Sequence, residues 1–173
     1  MLRLRQILVI TAAKTEFQCQ QVRELMAEYG ETDAALFTRH GFDMQEVFAF
    51  YGAAKDEPLP GPYAAPDGGL YLATVSGKSA GSGAFHRLGS SVCEMKRLYV
   101  RSEFRGMHIG RALVKSLIAA ARASGYGVMR LETTTLELAP LALYASMGFQ
   151  YRDPYYVIPP RFHGIMVFME LKL

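Results

Sequence analysis

The sequence predicts an α+β fold: a mixed, mostly antiparallel central sheet with helices on both faces. Three observations carry this expectation. A β-branched and apolar run ending at Val100 passes through a short loop holding Arg105, Gly106 and Gly110, then enters an amphipathic helix that reaches Ala121. Periodicities along the whole chain give the order β-α-α-β-β-β-α-β-α-β-β, which suits a sheet packed against helices. Finally, 173 residues with 50% hydrophobic content suffice for one well-buried core and are too few for two ordinary domains, so residues 1–173 read as a single domain.

The elements follow in order. Residues 4–11 alternate weakly and carry Ile7, Val9 and Ile10, which fits a first strand. Thr15 followed three residues later by Gln18 has the form of a capping box. Behind it Phe17, Val22, Leu25, Met26 and Tyr29 recur at helical spacing, and Gly30 suits the stop. Asp43 with Glu46 can cap a second helix carrying Val47, Phe48 and Phe50 on its buried side. Residues 56–69 hold four of the eight prolines together with Gly61, Gly68 and Gly69, so they form a loop. Loops of this length in a compact domain are often functional.

Residues 70–75 and 79–85 flank Ser76-Gly77-Lys78 as a hairpin, and residues 91–100 form the next strand. The helix after Gly110 presents Leu113, Leu117, Ala120 and Ala121 on one side and ends near Gly125. Residues 128–134 are a short strand of high β propensity, and 139–147 a short helix ended by Gly148. Strands at 149–152 and 165–171 bracket a Tyr- and Pro-rich loop at 153–161.

Composition narrows the partners. Charged residues make up 20% of the chain and the net charge is +3 with no Lys/Arg block, which gives no case for nucleic acid but suits a small phosphate-rich ligand. Cys19 and Cys93 are far apart and match no zinc or redox spacing, and the four histidines are scattered, so no metal site is expected. The opening basic residues before an apolar run faintly resemble a signal peptide, but the run is short and a charged helix follows at once, so a first strand is the reading. No apolar run approaches the roughly 18 residues needed to span a bilayer. A cytoplasmic protein without a membrane partner is expected.

The strand–loop–helix unit has a chemistry of its own. The first turn of a helix has N–H groups without intrahelical partners and carries partial positive charge from the aligned peptide dipoles. Glycines let the backbone approach phosphates closely. The loop from Arg105 to Gly110 is therefore read as the seat of a coenzyme diphosphate.

Three segments now stand in a particular order and spacing: C-E-M-K-R-L-Y-V (93–100), R-G-M-H-I-G-R-A-L (105–113) and A-L-Y-A-S-M-G-F (142–149). Together, over nearly the whole chain, they resemble the GNAT superfamily of N-acetyltransferases. The resemblance implies a GNAT-like acyl-CoA N-acyltransferase fold with acetyl-CoA as cosubstrate and no metal. Its acyl-CoA loop has the form Arg/Gln-x-x-Gly-x-Gly/Ala. Arg105 and Gly110 fill the outer positions, and the cofactor-binding run Arg105, Gly106, Met107, His108, Ile109, Gly110 and Arg111 follows from it. His108 stands where the family usually has glycine; if φ is positive there, the side chain costs on the order of 1 kcal/mol. The resemblance also implies that Leu98, Tyr99 and Val100 offer backbone groups to the pantetheine arm, with an N–H near the thioester carbonyl where oxyanion charge develops.

Amine acetylation by direct attack needs a proton acceptor for the amine and a donor for the departing thiolate, but no enzyme nucleophile. Glu94 is the candidate base, since members of the superfamily often use a glutamate on this strand. By strict alternation Glu94 and Lys96 share a face with Leu98 and Val100, although a bulge would change that parity. The alternative role for Glu94 is an ion pair with Lys96, Arg97 or Arg130. Tyr144 is the candidate acid, matching the tyrosine of the L-Y-x-x-x-G-F signature. A phenol with an ordinary pKa of about 10 keeps its proton where a thiol of about 8.5 is leaving; the alternative is a tyrosine packed in the core. Cys93 reads as a buried structural thiol. In this fold the acceptor cleft falls at residues 37–63 and 153–163, whose aromatics include Phe42, Phe48, Phe50, Tyr51, Tyr63, Tyr155, Tyr156 and Phe162.

The expected function is acetyl transfer from acetyl-CoA to a primary amine of a small molecule, an amino acid or a peptide N-terminus. The alternative is a non-catalytic acyl-CoA sensor or interaction module on the same fold. The expected partners are acetyl-CoA and an amine acceptor, with a homodimer as a possible assembly.

Overall fold

The computed structural model describes residues 7–51 and 58–173. Residues 4–6 of the expected first strand, and Asp56 and Glu57 of the expected loop, lie outside them. The order is β1 (Leu8–Ala12), α1 (Glu16–Arg39), α2 (Met44–Tyr51), β2 (Gly69–Val75), β3 (Lys78–Arg87), β4 (Val92–Val100), α3 (Ile109–Ala123), β5 (Val128–Thr134), α4 (Leu138–Ser146), β6 (Gln150–Arg152) and β7 (Met166–Lys172). The strands form one seven-stranded sheet in the order β1-β2-β3-β4-β5-β7-β6. Every pair is antiparallel except β4 with β5, which α3 joins as the crossover that a parallel pair requires.

The local signals mostly act as expected. Thr15 caps α1 by accepting from the Gln18 backbone N–H, while the Gln18 side chain accepts from the Thr15 N–H at 3.1 Å. The helix does not stop at Gly30, as expected, but runs on to Arg39. A glycine in a helix interior costs about 1 kcal/mol. Burial of Leu36 and Phe37 in the added turns outweighs that cost, at roughly 1.5–3 kcal/mol for each large apolar side chain. In α2, Val47 is buried and Phe50 packs beside it, but Phe48 is 53% exposed and off the expected buried side. The β2–β3 hairpin turns on Ser76 and Gly77 with φ of 48° and 83°, the doubly left-handed geometry that matches strand twist.

Helices cover both faces of the sheet. Cys93 and Met95 of β4 and Met129 and Leu131 of β5 pack against Val114, Leu117 and Tyr144 from α3 and α4. On the other face Leu70, Leu72 and Ala84 pack against Cys19, Val22 and Leu25 of α1. In β3, Gly81 lies against the Tyr99 carbonyl; a Cβ there would sit 2.5 Å from that oxygen and 3.3 Å from Leu113. Gly81→Ala is therefore expected to cost about 1–3 kcal/mol, an overpacking penalty readable as a lower urea midpoint at unchanged m-value. An unchanged midpoint would show that β3 and β4 can separate without loss.

Candidate active site

The central feature is an opening in the sheet. β4 and β5 are in register only from Val92↔Val128 to Glu94↔Arg130, yet β4 continues to Val100 and β5 to Thr134. Beyond Glu94 the facing edges carry backbone donors and acceptors that no ladder pairs. The cleft leads along β4 toward the start of α3.

A bulge shapes the β4 side. In the β3–β4 register Ser82 faces Tyr99 and Ala84 faces Lys96, so Gly83 alone opposes Arg97 and Leu98, and Arg97 takes φ of 59°. This corrects the expected parity. Glu94 and Lys96 do not share a face with Leu98 and Val100. Those two pack with the α3-side clusters, as Cys93 and Met95 do, whereas Tyr99 packs on the α1 side. The extra residue rotates the strand by one position, and Glu94, Lys96 and Tyr99 end up on the same side.

The loop after β4 is anchored by Phe104 and Ile109, both buried beside Leu113. Between them Gly106 takes φ of 82° and His108 takes φ of 59°, so the position where glycine is usual is left-handed here. His108 is the N-cap residue of α3, but its side chain makes no cap bond. The first-turn N–H groups of α3 thus keep no side-chain partner at the cap, which is the condition for receiving an anion. Arg105 is exposed and donates from Nε to the Val100 carbonyl at 3.2 Å, and Arg111 donates to Ser146 Oγ at 2.6 Å, tying α3 to α4. Met107, Val100 and Leu98 pack against the same buried cluster, which includes Phe104, Ile109 and Leu113.

At the inner end of the opening lies an acid–base cluster. Glu94 is buried; its Oε1 accepts from the Tyr155 hydroxyl at 2.5 Å, its Oε2 lies 2.9 Å from His86 Nε2 and 3.6 Å from Lys96 Nζ. Burial works to raise its pKa, but the His86 bond, the Lys96 charge and the Tyr155 bond together hold it below the ordinary carboxylate value. Lys96 reaches across to β5 and donates to Glu132 Oε1 at 3.2 Å. Glu132 moves the other way: burial pushes its pKa up, Lys96 opposes, and the Glu94 charge adds to the rise. Its Oε2 is buried with no hydrogen-bond partner among the described residues. A buried carboxylate oxygen left unpaired is costly and calls for a reason.

Tyr144 is buried edge-on to Phe149, with ring centroids 5.8 Å apart, and burial pushes its hydroxyl pKa above the ordinary value. Its ring is part of the core, and its hydroxyl stays protonated at neutral pH. Cys93 is inert by the same physics; burial pushes its thiol to about 12, and Sγ donates to the Val128 carbonyl.

The structure adds residues that sequence reasoning misses. Glu132 has a detectable signal: in V-M-R-L-E-T-T the buried Met129 and Leu131 alternate with Arg130 and Glu132, which places its carboxylate on the face of Glu94. His86 has none, and Tyr155 is marked in the sequence only as a cleft aromatic, because the β3–β4 register and the loop before β7 are what bring them to Glu94. On α1, Asp33 is hydrogen-bonded to Tyr29, which stacks on Tyr99 at 5.6 Å, and burial raises the Asp33 carboxyl to about 6. The expected aromatic wall is largely a small core, since Phe42 and Phe50 stack on buried Phe162 at 5.6 and 4.9 Å. An open groove of about 610 Å³ lies along β6, β7 and the preceding loop, lined by Tyr156, Ile158 and Met166 but by no residue of β4, β5 or α3.

Comparison with known proteins decides the family. The sequence model of the acetyltransferase (GNAT) family matches residues 24–149, more than half of the chain. The chain belongs to the GNAT family. An uncharacterised N-acetyltransferase of Schizosaccharomyces pombe is 40% identical over 124 residues, covering 68% of this chain and 74% of that protein. Another from Dictyostelium discoideum is 44% identical over 82 residues, covering 47% of this chain but only 37% of that protein, so this match spans little more than a third of its length. A solved structure from Salmonella typhimurium with its cofactor acetyl-CoA shares the fold at a TM-score of 0.65 and 22% identity, covering 95% of this chain and 93% of that one. Within the GNAT family the relatives are named N-acetyltransferases, and the chain is accordingly an acyltransferase. The α+β fold with helices on both faces of a mostly antiparallel sheet is as expected from the sequence.

Proposed function

We propose that this chain is one acetyltransferase domain that moves an acetyl group from acetyl-CoA to a primary amine of a small molecule, an amino acid or a peptide N-terminus. The observation that supports it best is the continuity of the opening. It runs from the uncapped start of α3, past the unpaired edge of β4, to the Glu94–Lys96–Glu132 cluster. In this reading the loop and helix start at residues 105–111 hold the diphosphate, through N–H groups not already bonded as those of Arg105 and Met107 are, and Leu98, Tyr99 and Val100 hold the pantetheine arm.

The acceptor arrives as an ammonium ion. Its proton passes to the carboxylate pair Glu94/Glu132, which titrates as a unit. Glu94 stays ionised and raises the basicity of Glu132, whose unpaired Oε2 receives the proton. The freed amine attacks the thioester carbonyl, and a β4 backbone N–H stabilises the oxyanion. As the C–S bond breaks, Tyr144 gives its proton to sulfur, the extra proton on the acylated nitrogen returns to the Tyr144 phenolate, and Glu132 releases the first proton to solvent. The products are the N-acetylamine, CoA thiol and one released proton.

The reading extends to a cytoplasmic enzyme, alone or as a homodimer, with neither nucleic acid nor membrane as a partner. No helix among the described residues is long and apolar enough to cross a membrane, and both cysteines are free and buried. Mass spectrometry of an amine panel incubated with acetyl-CoA tests the activity, and calorimetry tests the coenzyme. Binding with acetylation of at least one amine is expected. Neither binding nor product would sink the reading, and binding without any product would favour the sensor.

A further inference from the structure

We infer that Tyr155 and His86 are positioning residues that clamp the two oxygens of Glu94, so that the loop between β6 and β7 and the strand β3 jointly fix the charge of the catalytic cluster. The inference rests on the proposed role of the Glu94/Glu132 pair and adds two residues to it.

The geometry is specific on both sides. His86 Nδ1 lies 3.0 Å from the Arg87 carbonyl oxygen and Nε2 lies 2.9 Å from Glu94 Oε2. A carboxylate only accepts, so the Nε2 that faces Glu94 is the donor of that bond. Against the other oxygen, Tyr155 donates at 2.5 Å. Its ring is itself held, with the Arg130 and Arg152 guanidinium groups each 5.4 Å from its centroid and Phe168 edge-on at 5.1 Å. Both arginines bind Glu170 Oε2, at 3.3 and 2.6 Å. Tyr155 therefore joins the acceptor-side loop to β4 by a bond whose two ends are both fixed.

The charged and titratable groups around Glu94 are His86 from β3, Lys96 from β4, Arg130 and Glu132 from β5, and Tyr155 from the loop. His86, Lys96 and Tyr155 favour its anion, whereas burial and the Glu132 charge oppose it. Removing a clamp residue makes Glu94 protonate at higher pH. A neutral Glu94 no longer repels charge on Glu132, so Glu132 becomes the weaker base, and activity is lost from the acid side.

The test compares wild type with Tyr155→Phe, His86→Ala, His86→Gln and the control Tyr156→Phe, whose ring also packs on Phe168. In pH profiles of kcat/KM for the acceptor, Tyr155→Phe and His86→Ala are expected to shift the acid limb upward by about half a pH unit or more. That shift appears as an about threefold extra loss at pH 6 relative to pH 8. His86→Gln, which keeps a hydrogen-bond donor, falls between, and Tyr156→Phe leaves the limb in place. The Glu94 side-chain carboxyl, followed by 13C NMR in the same proteins, is expected to titrate upward in parallel. An unmoved Glu94 titration in both Tyr155→Phe and His86→Ala, or an equal shift in Tyr156→Phe, overturns the clamp. Because the NMR titration needs no turnover, it decides the clamp even if no acetyl transfer is found and the proposed function fails.

Discussion

Glu132→Gln is expected to lower kcat/KM for the acceptor by about 10²–10³-fold at neutral pH, the scale of a lost general base. It should also remove the acid limb of the pH profile. The fold should survive. An amide is nearly isosteric, Lys96 retains Glu94 3.6 Å away, and a buried oxygen without a partner gives way to a neutral group. Thermal unfolding alongside the kinetics separates the two effects. A stable Glu132→Gln protein with unaltered kcat/KM would remove the carboxylate pair from the chemistry and leave its unpaired oxygen unexplained. Glu94→Gln has a different expectation, a smaller loss in which the acid limb remains but moves, because Glu94 acts on the charge of Glu132 rather than on the acceptor.

The second large effect is on the leaving group. Tyr144→Phe is expected to lower kcat by about 10²-fold while KM for acetyl-CoA stays within about twofold, because the proton donation it removes exists only in the transition state. Burial holds the hydroxyl in its protonated form well beyond neutral pH, so wild-type activity should show no basic limb from this group below pH 9. The phenylalanine ring keeps the edge contact with Phe149, so stability should change little. An acceptor assay at several pH values measures both. A kcat equal to that of wild type would assign Tyr144 to the core alone.

The parts of the site carried by consecutive residues are legible in the sequence. The strand, loop and helix start from Val100 to Arg111 announce themselves by a change of period and by glycine, and A-L-Y-A-S-M-G-F keeps its spacing. His108 is a case where the sequence poses the right question: the position is left-handed, and an imidazole occupies it. The parts that depend on distant register are not legible. One additional residue at Arg97 leaves no mark on composition, yet it reverses which side chains of β4 face α3. Glu132 is brought beside Lys96 by a parallel pairing whose partners are separated by the whole of α3. Gly30 misleads for a related reason, since its cost is local while the burial of Leu36 and Phe37 that offsets it is tertiary.

The most direct measurement is a crystal structure of the protein with acetyl-CoA. The diphosphate is expected at the loop and helix start between Arg105 and Arg111, the pantetheine arm in the gap between β4 and β5, and the thioester within reach of both the Tyr144 hydroxyl and the Glu94/Glu132 pair. A coenzyme bound elsewhere, or a gap that closes into a continuous β4–β5 ladder when it binds, would contradict this arrangement.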